Sequence, residues 1–462
     1  MKQVDFASGR LAQNIFQTTI PLLVAQLLNL LYNIVDRVYI GRIPGEGTGA
    51  LGGVGLCFPI IILITGFTNM YGMGGAPLFS MELGKGMREN ADRIINTAFR
   101  LICMTAVVIM IFGQIIAVPM LRALGASDSI LGYSLIYLRI YLIGTLFSMI
   151  ATGMNPYINA QGFPKIGMIS VIIGAVSNLI LDPVFIFKMN MGVSGAAVAT
   201  VISQGLSALF ALYFIFGARL EFRIHFEKKQ NIKEYFPFAG DIIGLGTAPF
   251  IMQCTNSLVQ MAANSALLNF GGEIYVSIMT IISSVRQLLD TPIYAMTEGA
   301  SPVISYNYGA GKAVNVRKAI LMMTGSVVLY TVVAWALIQW QPAMLISIFS
   351  SDKELLEDAV PALHLYFFAF PFQAFQMSGQ TVFKSLSKKK RTIFFSLFRK
   401  VILVIPLTFL LPHLWNLRTN GVFMAEPVSN FIGGSACYIT MLLTILPELA
   451  RKRDVDRLAI RP

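Results

Sequence analysis

The sequence predicts an all-α polytopic membrane protein: twelve transmembrane helices in two pseudo-symmetric six-helix bundles around a central cavity. Three observations predict it. The 462 residues are 55% hydrophobic and only 13% charged, with a mean hydropathy of +0.68, whereas an average soluble domain is about a quarter charged. Apolar stretches of about 20 residues, enough to cross a hydrocarbon core of roughly 30 Å as helices, recur from Ile15 almost to the C-terminus. They are continuous rather than alternating, which excludes a closed β-barrel. The chain also matches itself at a shift of 225 residues: Pro77 falls on Pro302, Gly84 and Gly86 of "ELGKG" on Gly309 and Gly311 of "NYGAGK", Tyr141 on Tyr366, and "FPK" at 163–165 on "KKK" at 388–390.

The spans follow in order. The first six are 15–40, 50–75, 94–120, 133–158, 166–187 and 192–217, and they make an N-terminal bundle over 1–218. Span one carries Pro21 and Asp36, span four Tyr137, span five "SNLILDPVFIF" with Asn178, Asp182 and Pro183, and span six Thr200. The most polar stretch of its length, "RLEFRIHFEKKQNIKEYFPF" at 219–238, is the expected cytoplasmic connector. Spans 239–268, 274–299, 318–340, 360–383, 394–414 and 421–446 make a C-terminal bundle over 239–450, and 451–462 is a basic cytoplasmic tail. Pro249 of span seven pairs with Pro21 at a slightly longer shift, a drift that loop lengths explain. Because six is even, the halves run in the same direction and relate by an axis along the membrane normal.

Charge between the spans fixes orientation. With both termini cytoplasmic, the inner loops hold roughly 24 Lys/Arg and the outer loops roughly 5, a strong positive-inside bias. The net charge of +12 follows from that topology and points to anionic lipid headgroups rather than nucleic acid. A plasma (inner) membrane location and a monomer are expected. Cys57, Cys103, Cys254 and Cys437 fall in four different spans without paired spacing, so neither a disulfide framework nor a structural metal site is indicated. No removable signal peptide is expected ahead of span one, and no cofactor is expected.

A charge at membrane depth costs roughly 2.5–3.5 kcal/mol on insertion scales, so each one asks for an occupant or a partner. At about 1.5 Å per residue, Asp182 lies roughly 9 Å in from the outer end of span five, Asp36 roughly 7–8 Å in and Thr200 roughly 12 Å in. Tyr137 sits near the outer end of span four at similar depth. Asn178 shares a helix face with Asp182 at i, i+4, and Pro183, lacking an N–H, leaves the Leu179 carbonyl without its helical partner. Two carboxylates, an amide, a hydroxyl and a freed carbonyl are oxygen ligands. Such a set suits a hard cation, or two carboxylates sharing a proton, and the residues do not choose Na⁺ over H⁺. An ordinary salt bridge between Asp36 and Arg37 is the plain alternative for the first acid.

The second half repeats none of this. The shift places Leu403 and Leu407 opposite Asn178 and Asp182, and Asn264 opposite Asp36. Its deep charges are Arg286 and Asp290 at i, i+4 in span eight, expected to pair with each other, and Glu298. Arg100, Arg399 and Lys400 lie near enough to the cytoplasmic ends to snorkel. For the cavity, Phe147, Met149, Met154, Asn256, Gln260, Met279, Arg286, Asp290, Tyr294 and Gln376 are candidate lining residues, a polarizable set suited to varied lipophilic cations.

In the order and spacing of "QLLNLLYNIVDRVYIGRI" (26–43), "GMNPYINAQGFPKIGM" (153–168), "SNLILDPVFIF", "GVSGAAVATVISQ" (192–204) and "SPVISYNYGAGK" (301–312), the chain resembles the multidrug and toxic compound extrusion (MATE) transporters, most closely their MepA-like branch. The resemblance covers nearly the whole chain. It implies a first-lobe cation site at Asp36, Asn178, Asp182 and Thr200, with Tyr137 as its fourth-helix tyrosine. It also implies antiport, in which an inward gradient of H⁺ or Na⁺ drives out organic cations and amphipathic drugs by alternating access. The acids that other members carry in helices seven and ten are absent, with Asn256, Gln260 and Gln376 nearest in kind.

Two other functions are weighed. A lipid-linked oligosaccharide flippase of the same superfamily would line its groove with cationic groups for a pyrophosphate. An intramembrane enzyme would need a catalytic constellation, and His225, His364 and His413 share no motif, with no HExxH and no GxxxxGK[ST] present. The sequence is therefore read as a transporter and not an enzyme.

Overall fold

A computed structural model describes residues 3–8, 10–44, 47–217, 222–224, 232–347 and 353–459. The expected connector at 219–238 and basic tail at 451–462 fall partly outside these residues, and so does His225. The first-half helices are α1 (Leu11–Gly41), α2 (Gly47–Gly84), α3 (Arg88–Ala123), α4 (Asp128–Ala160), α5 (Pro164–Pro183) and α6 (Gly192–Phe216). The second half has α7 (Ile232–Gly271), α8 (Glu273–Gly309), α9 (Ala313–Trp340), α10 (Pro342–Ser347), α11 (Lys353–Tyr366), α12 (Phe370–Ser385), α13 (Lys389–Leu397), α14 (Ile405–Leu410) and α15 (Arg418–Ala459). Every regular element among the described residues is helical, and ten of the helices are long and apolar enough to cross a membrane.

The two expected spans that miss this standard are the eighth and the tenth. α8 carries Arg286, Asp290 and Glu298 in its middle, which lowers its hydropathy without shortening it. The tenth span is not one helix: it breaks between Tyr366 and Phe370, where Pro371 sits in the first turn of α12, a position that needs no amide donor and suits proline's fixed φ. Span eleven is also irregular. A π-helical segment, Phe398–Val404, joins α13 to α14, and a 3₁₀ turn, Leu411–Asn416, follows. Pro406 and Pro412 each remove a backbone donor there. A shorter π-helical segment, Val184–Lys188, follows Pro183 at the end of α5.

The duplication is visible in the turns. After α2 the Met87 amide bonds back to the Glu82 carbonyl across Gly86 at φ 75°, and after α8 the Lys312 amide bonds to the Asn307 carbonyl across Gly311 at φ 71°. These are paired glycine helix stops, in which only a residue without Cβ takes the left-handed geometry at no cost. Gly162 and Ser387 form the next pair, with φ 86° and 58°, and Asn190 and Asn416 a third, with φ 53° and 56°.

The chain divides into two compact units, one of Met1–Asp5 and Ile20–Phe250, the other of Phe6–Thr19 and Ile251–Pro462. Helices α1 and α7 are thus each divided between units, one residue before Pro21 and shortly after Pro249. Within the first unit α7 lies directly on α2: a Cβ on Gly246 would stand 1.8 Å from the Met70 carbonyl oxygen, and one on Gly74 would stand 2.6 Å from the Gly246 Cα. Within the second unit the pseudo-equivalent Gly299 of α8 meets Thr19 of α1 in the same way, and the Thr18 hydroxyl donates to the Gly299 carbonyl at 2.7 Å. Gly246→Ala is expected to lower stability by about 1–3 kcal/mol or more through overpacking against backbone. Gly240→Ala, which meets open space, should cost nothing. Thermal unfolding of the two purified variants in detergent checks this.

The first unit has one continuous apolar core drawn from α2, α3, α4 and α6. The core of the second unit falls into two clusters. The helix turns between them carry Glu298 on α8, Gln376 and Gln380 on α12, and Glu426 and Asn430 on α15.

Candidate coupling-cation site

In the first unit α5 and α6 pack side by side, which puts Asn178 and Thr200 together. The Asn178 amide donates to Asp182 Oδ1 at 3.1 Å and reaches Thr200 Oγ1 at 3.5 Å. Thr200 in turn donates to the Ala196 carbonyl at 2.9 Å, leaving its oxygen free to accept. The Asp36 and Asp182 carboxyl groups face each other within hydrogen-bonding range. Asp182 is fully buried and Asn178 is 2% exposed. Asp36 Oδ1, Asp182 Oδ2 and Asn178 Oδ1 are buried with no hydrogen-bond donor among the described residues. Two facing carboxyl groups away from water require a proton or a cation between them.

Tyr137 is 4% exposed, stacks on Tyr141 with ring centroids 6.2 Å apart, and lies within electrostatic reach of Asp36. The five residues singled out by depth and resemblance therefore share one neighbourhood. Two more belong to it. Tyr32, one turn before Asp36 on the same face, senses both acids and Tyr141, and its signal is the i, i+4 spacing to Asp36. Gln204, one turn after Thr200, has a buried side-chain oxygen without a donor. The Asp36–Arg37 salt bridge does not form: the Arg37 guanidinium sits 4.4 Å above the Phe58 ring, and no ion pair joins it to Asp36 among the described residues.

The second unit holds a different constellation around Glu426 of α15, which is 4% exposed. Its Oε1 faces Arg286 Nη2 at 2.7 Å, Arg399 Nη2 at 3.2 Å and Lys400 Nζ at 3.6 Å. The expected Arg286–Asp290 pair forms at 3.2 Å. It is extended by Arg286 Nη1 donating to the Tyr366 hydroxyl at 2.6 Å and by Gln373 Nε2 donating to Asp290 Oδ1 at 2.8 Å. Arg399 and Lys400 do not snorkel: the π-helical segment turns both inward onto Glu426, and they are 6% and 5% exposed. Glu298 is tied to Lys384 of α12. Sequence reasoning missed Glu426 although the signal was present, a lone acid before Pro427 in span twelve, an acid-proline pairing like the one that marks Asp182.

The candidate lining residues do not form one set. Met149 and Met154 are fully buried in the first unit's core, and Met279 is 4% exposed in the second unit's core. These three are packing residues, because side chains enclosed by apolar neighbours present no surface to a ligand. Phe147 is partly exposed in the first unit. In the second unit Asn256 is exposed and Tyr294 half-buried. Gln260 accepts from the Ser283 hydroxyl at 3.0 Å and donates to Asn264 at 3.2 Å, and Gln376 donates to the Phe395 carbonyl at 3.3 Å.

A duplicated, multi-pass helical membrane protein with buried acids inside one repeat has the build of a membrane transporter rather than of an enzyme. The chain belongs to the MatE family, whose sequence profile matches residues 21–184 and 249–410, one copy in each half. The copies begin at Pro21 and Pro249, the pair already aligned by the internal repeat. Among curated relatives, the chain is 24% identical over 355 residues to the multidrug export protein MepA of Staphylococcus haemolyticus (strain JCSC1435), covering 76% of each chain. It is 25% identical over 349 residues to MepA of Staphylococcus aureus (strain MSSA476), covering 74% of each. Its fold matches a MATE protein crystallised in the bent conformation, with a TM-score of 0.90 and 21% identity over 98% of this chain and 99% of the other. It also matches a MOP superfamily transporter from Pyrococcus furiosus described as having reverse polarity of its binding pocket, with a TM-score of 0.89 and 21% identity over the same shares.

Proposed function

We propose that this chain is a secondary active multidrug efflux antiporter of the plasma membrane, exporting organic cations and amphipathic drugs in exchange for H⁺ or Na⁺ by alternating access. The carrying observation is the set of donorless buried oxygens on Asp36, Asn178 and Asp182 beside the Thr200 hydroxyl. A small cation entering this set neutralises two carboxylates and satisfies their lone pairs. Its departure leaves two like charges facing each other in low dielectric, which disfavours that arrangement. The site is therefore a two-state element whose balance the ion sets. Coupling is negative: the ion favours the state that holds drug poorly, and by linkage the drug weakens the ion. The MepA relatives, named as multidrug export proteins, support the substrate class. The distribution of Lys and Arg supports cytoplasmic termini, and nothing in the mechanism asks for more than a monomer.

Purified protein in liposomes should move an ethidium-like cation under an imposed pH gradient or an imposed sodium gradient, and not without either. Movement that ignores both gradients would overturn the antiport reading. One observation favours a second reading: Arg286, Arg399 and Lys400 are cationic groups of the kind a lipid-linked oligosaccharide flippase needs. All three are turned onto Glu426, however, and a lipid-precursor turnover assay beside the drug assay separates the two.

A further inference from the structure

Arg139 is the one charged side chain of α4 besides Asp128, which begins the helix and pairs with Arg122 at 2.6 Å. It lies roughly 9 Å inside the expected start of span four at 133, a depth at which a charge needs a partner. The protein supplies none: the Arg139 side chain is exposed, and its guanidinium makes no hydrogen bond, ion pair or ring contact among the described residues. Its direction follows from Tyr137, which is buried inside the unit toward Asp36. Two residues further along a helix, a rotation of about 200° carries the side chain to the opposite face.

The surface on that face is apolar. One turn to either side on α4, Ile136 and Ile143 are 48% and 58% exposed, and on the neighbouring α3 Ile111 and Ile115 are 51% and 71% exposed. Exposed isoleucines on membrane-spanning helices face lipid chains rather than water. Gln114, the one polar residue of α3 between Ala106 and Met120, joins the two helices at this level by donating to the Arg139 carbonyl at 2.7 Å. Arg139 and Gln114 thus form a polar island in a lipid-facing surface, at a height from which a long cationic side chain extends to the headgroups.

We propose that Arg139 holds the phosphodiester of an anionic phospholipid of the outer leaflet, whose acyl chains lie over Ile115, Ile136 and Ile143. A guanidinium offers a phosphate two parallel N–H donors, and the phosphate is the acceptor that the protein does not provide. The headgroup is that of a phosphatidylglycerol rather than a zwitterionic lipid, because an added ammonium would be repelled by the guanidinium. The site is on the far side of α4 from the Asp36–Asp182 pair and takes a lipid, not the drug or the coupling ion.

The test needs no transport assay, so its failure is distinct from failure of the antiport reading. Phosphatidylglycerol is titrated onto the purified protein in detergent, and the lipids retained are counted by native mass spectrometry. Lysines and arginines elsewhere bind the same lipid in every variant, so the comparison isolates one site. The wild type should retain one more phosphatidylglycerol than Arg139→Gln, in which the concentration that fills this site rises at least about tenfold, as expected for loss of a charge-assisted hydrogen bond. Arg139→Lys should fill at an intermediate concentration, since an ammonium keeps the charge but not the paired donors. Phosphatidylcholine should bind more weakly, and inorganic phosphate should not displace the lipid, because it has no acyl chains to lay on the isoleucines. In lipid-free detergent the wild type and Arg139→Gln should unfold at the same temperature. Equal retention by the wild type and Arg139→Gln would overturn the proposal. So would displacement of the lipid by inorganic phosphate, which marks a free-anion site, or a lower unfolding temperature of Arg139→Gln without lipid, which marks a protein partner for the guanidinium.

Discussion

Asp182→Asn and Asp36→Asn are each expected to abolish drug efflux, by at least about tenfold, while the protein still reaches the membrane in normal amount. A tenfold effect corresponds to about 1.4 kcal/mol, small against what is removed, since either change turns a pair of facing carboxyl groups into a carboxyl and an amide that cannot bind a cation in the same way. Folding should survive. An amide is isosteric and neutral, and it relieves rather than creates like-charge repulsion in a buried site, so thermal stability should hold or rise. Efflux of an ethidium-like cation from intact cells, with membrane abundance measured in parallel, checks this. Unchanged efflux in both variants would remove the site from the mechanism. Thr200→Val is a milder probe, because the hydroxyl can only assist.

Glu426→Gln is expected to show the largest loss of stability, about 3–5 kcal/mol, the usual cost of removing one partner from a buried ion network. The reason is specific to this cluster: Glu426 is the anion shared by Arg286, Arg399 and Lys400, and without it three buried cations face only the partly exposed Asp290. Removing a cation at the same time should offset part of the loss, so Glu426→Gln with Lys400→Met should unfold at a higher temperature than Glu426→Gln alone. Thermal unfolding of the three purified proteins tests this, and additive losses in the double variant would contradict the shared-anion account.

Hydropathy and the internal repeat make most of the fold legible in the sequence, because a bilayer leaves so few options for the backbone. The irregular places were harder. The break between α11 and α12 and the π-helical segment before α14 leave hydropathy almost untouched, and Pro371 and Pro406 hint at them without fixing which turn yields. In the first unit the site residues could be chosen because helical rise fixes depth and i, i+4 spacing fixes face, which suffices when three helices enter from the same side. The second unit defeats the same method. By position Arg399 and Lys400 lie near enough to the interface to snorkel, and only the wider π-helical turn directs them inward to Glu426. Met149, Met154 and Met279 show a further limit: periodicity distinguishes lipid-facing from inward-facing residues, but not a packed interior from the wall of a cavity.

The central claim is that one small cation on the Asp36, Asn178, Asp182 and Thr200 oxygens and the exported drug exclude each other. Drug affinity of the purified protein, measured while proton and sodium concentrations are varied separately, tests this most directly. Affinity should fall as the coupling ion rises, and Asp182→Asn should bind drug with no dependence on that ion. An affinity in the wild type that is indifferent to both protons and sodium would contradict the account.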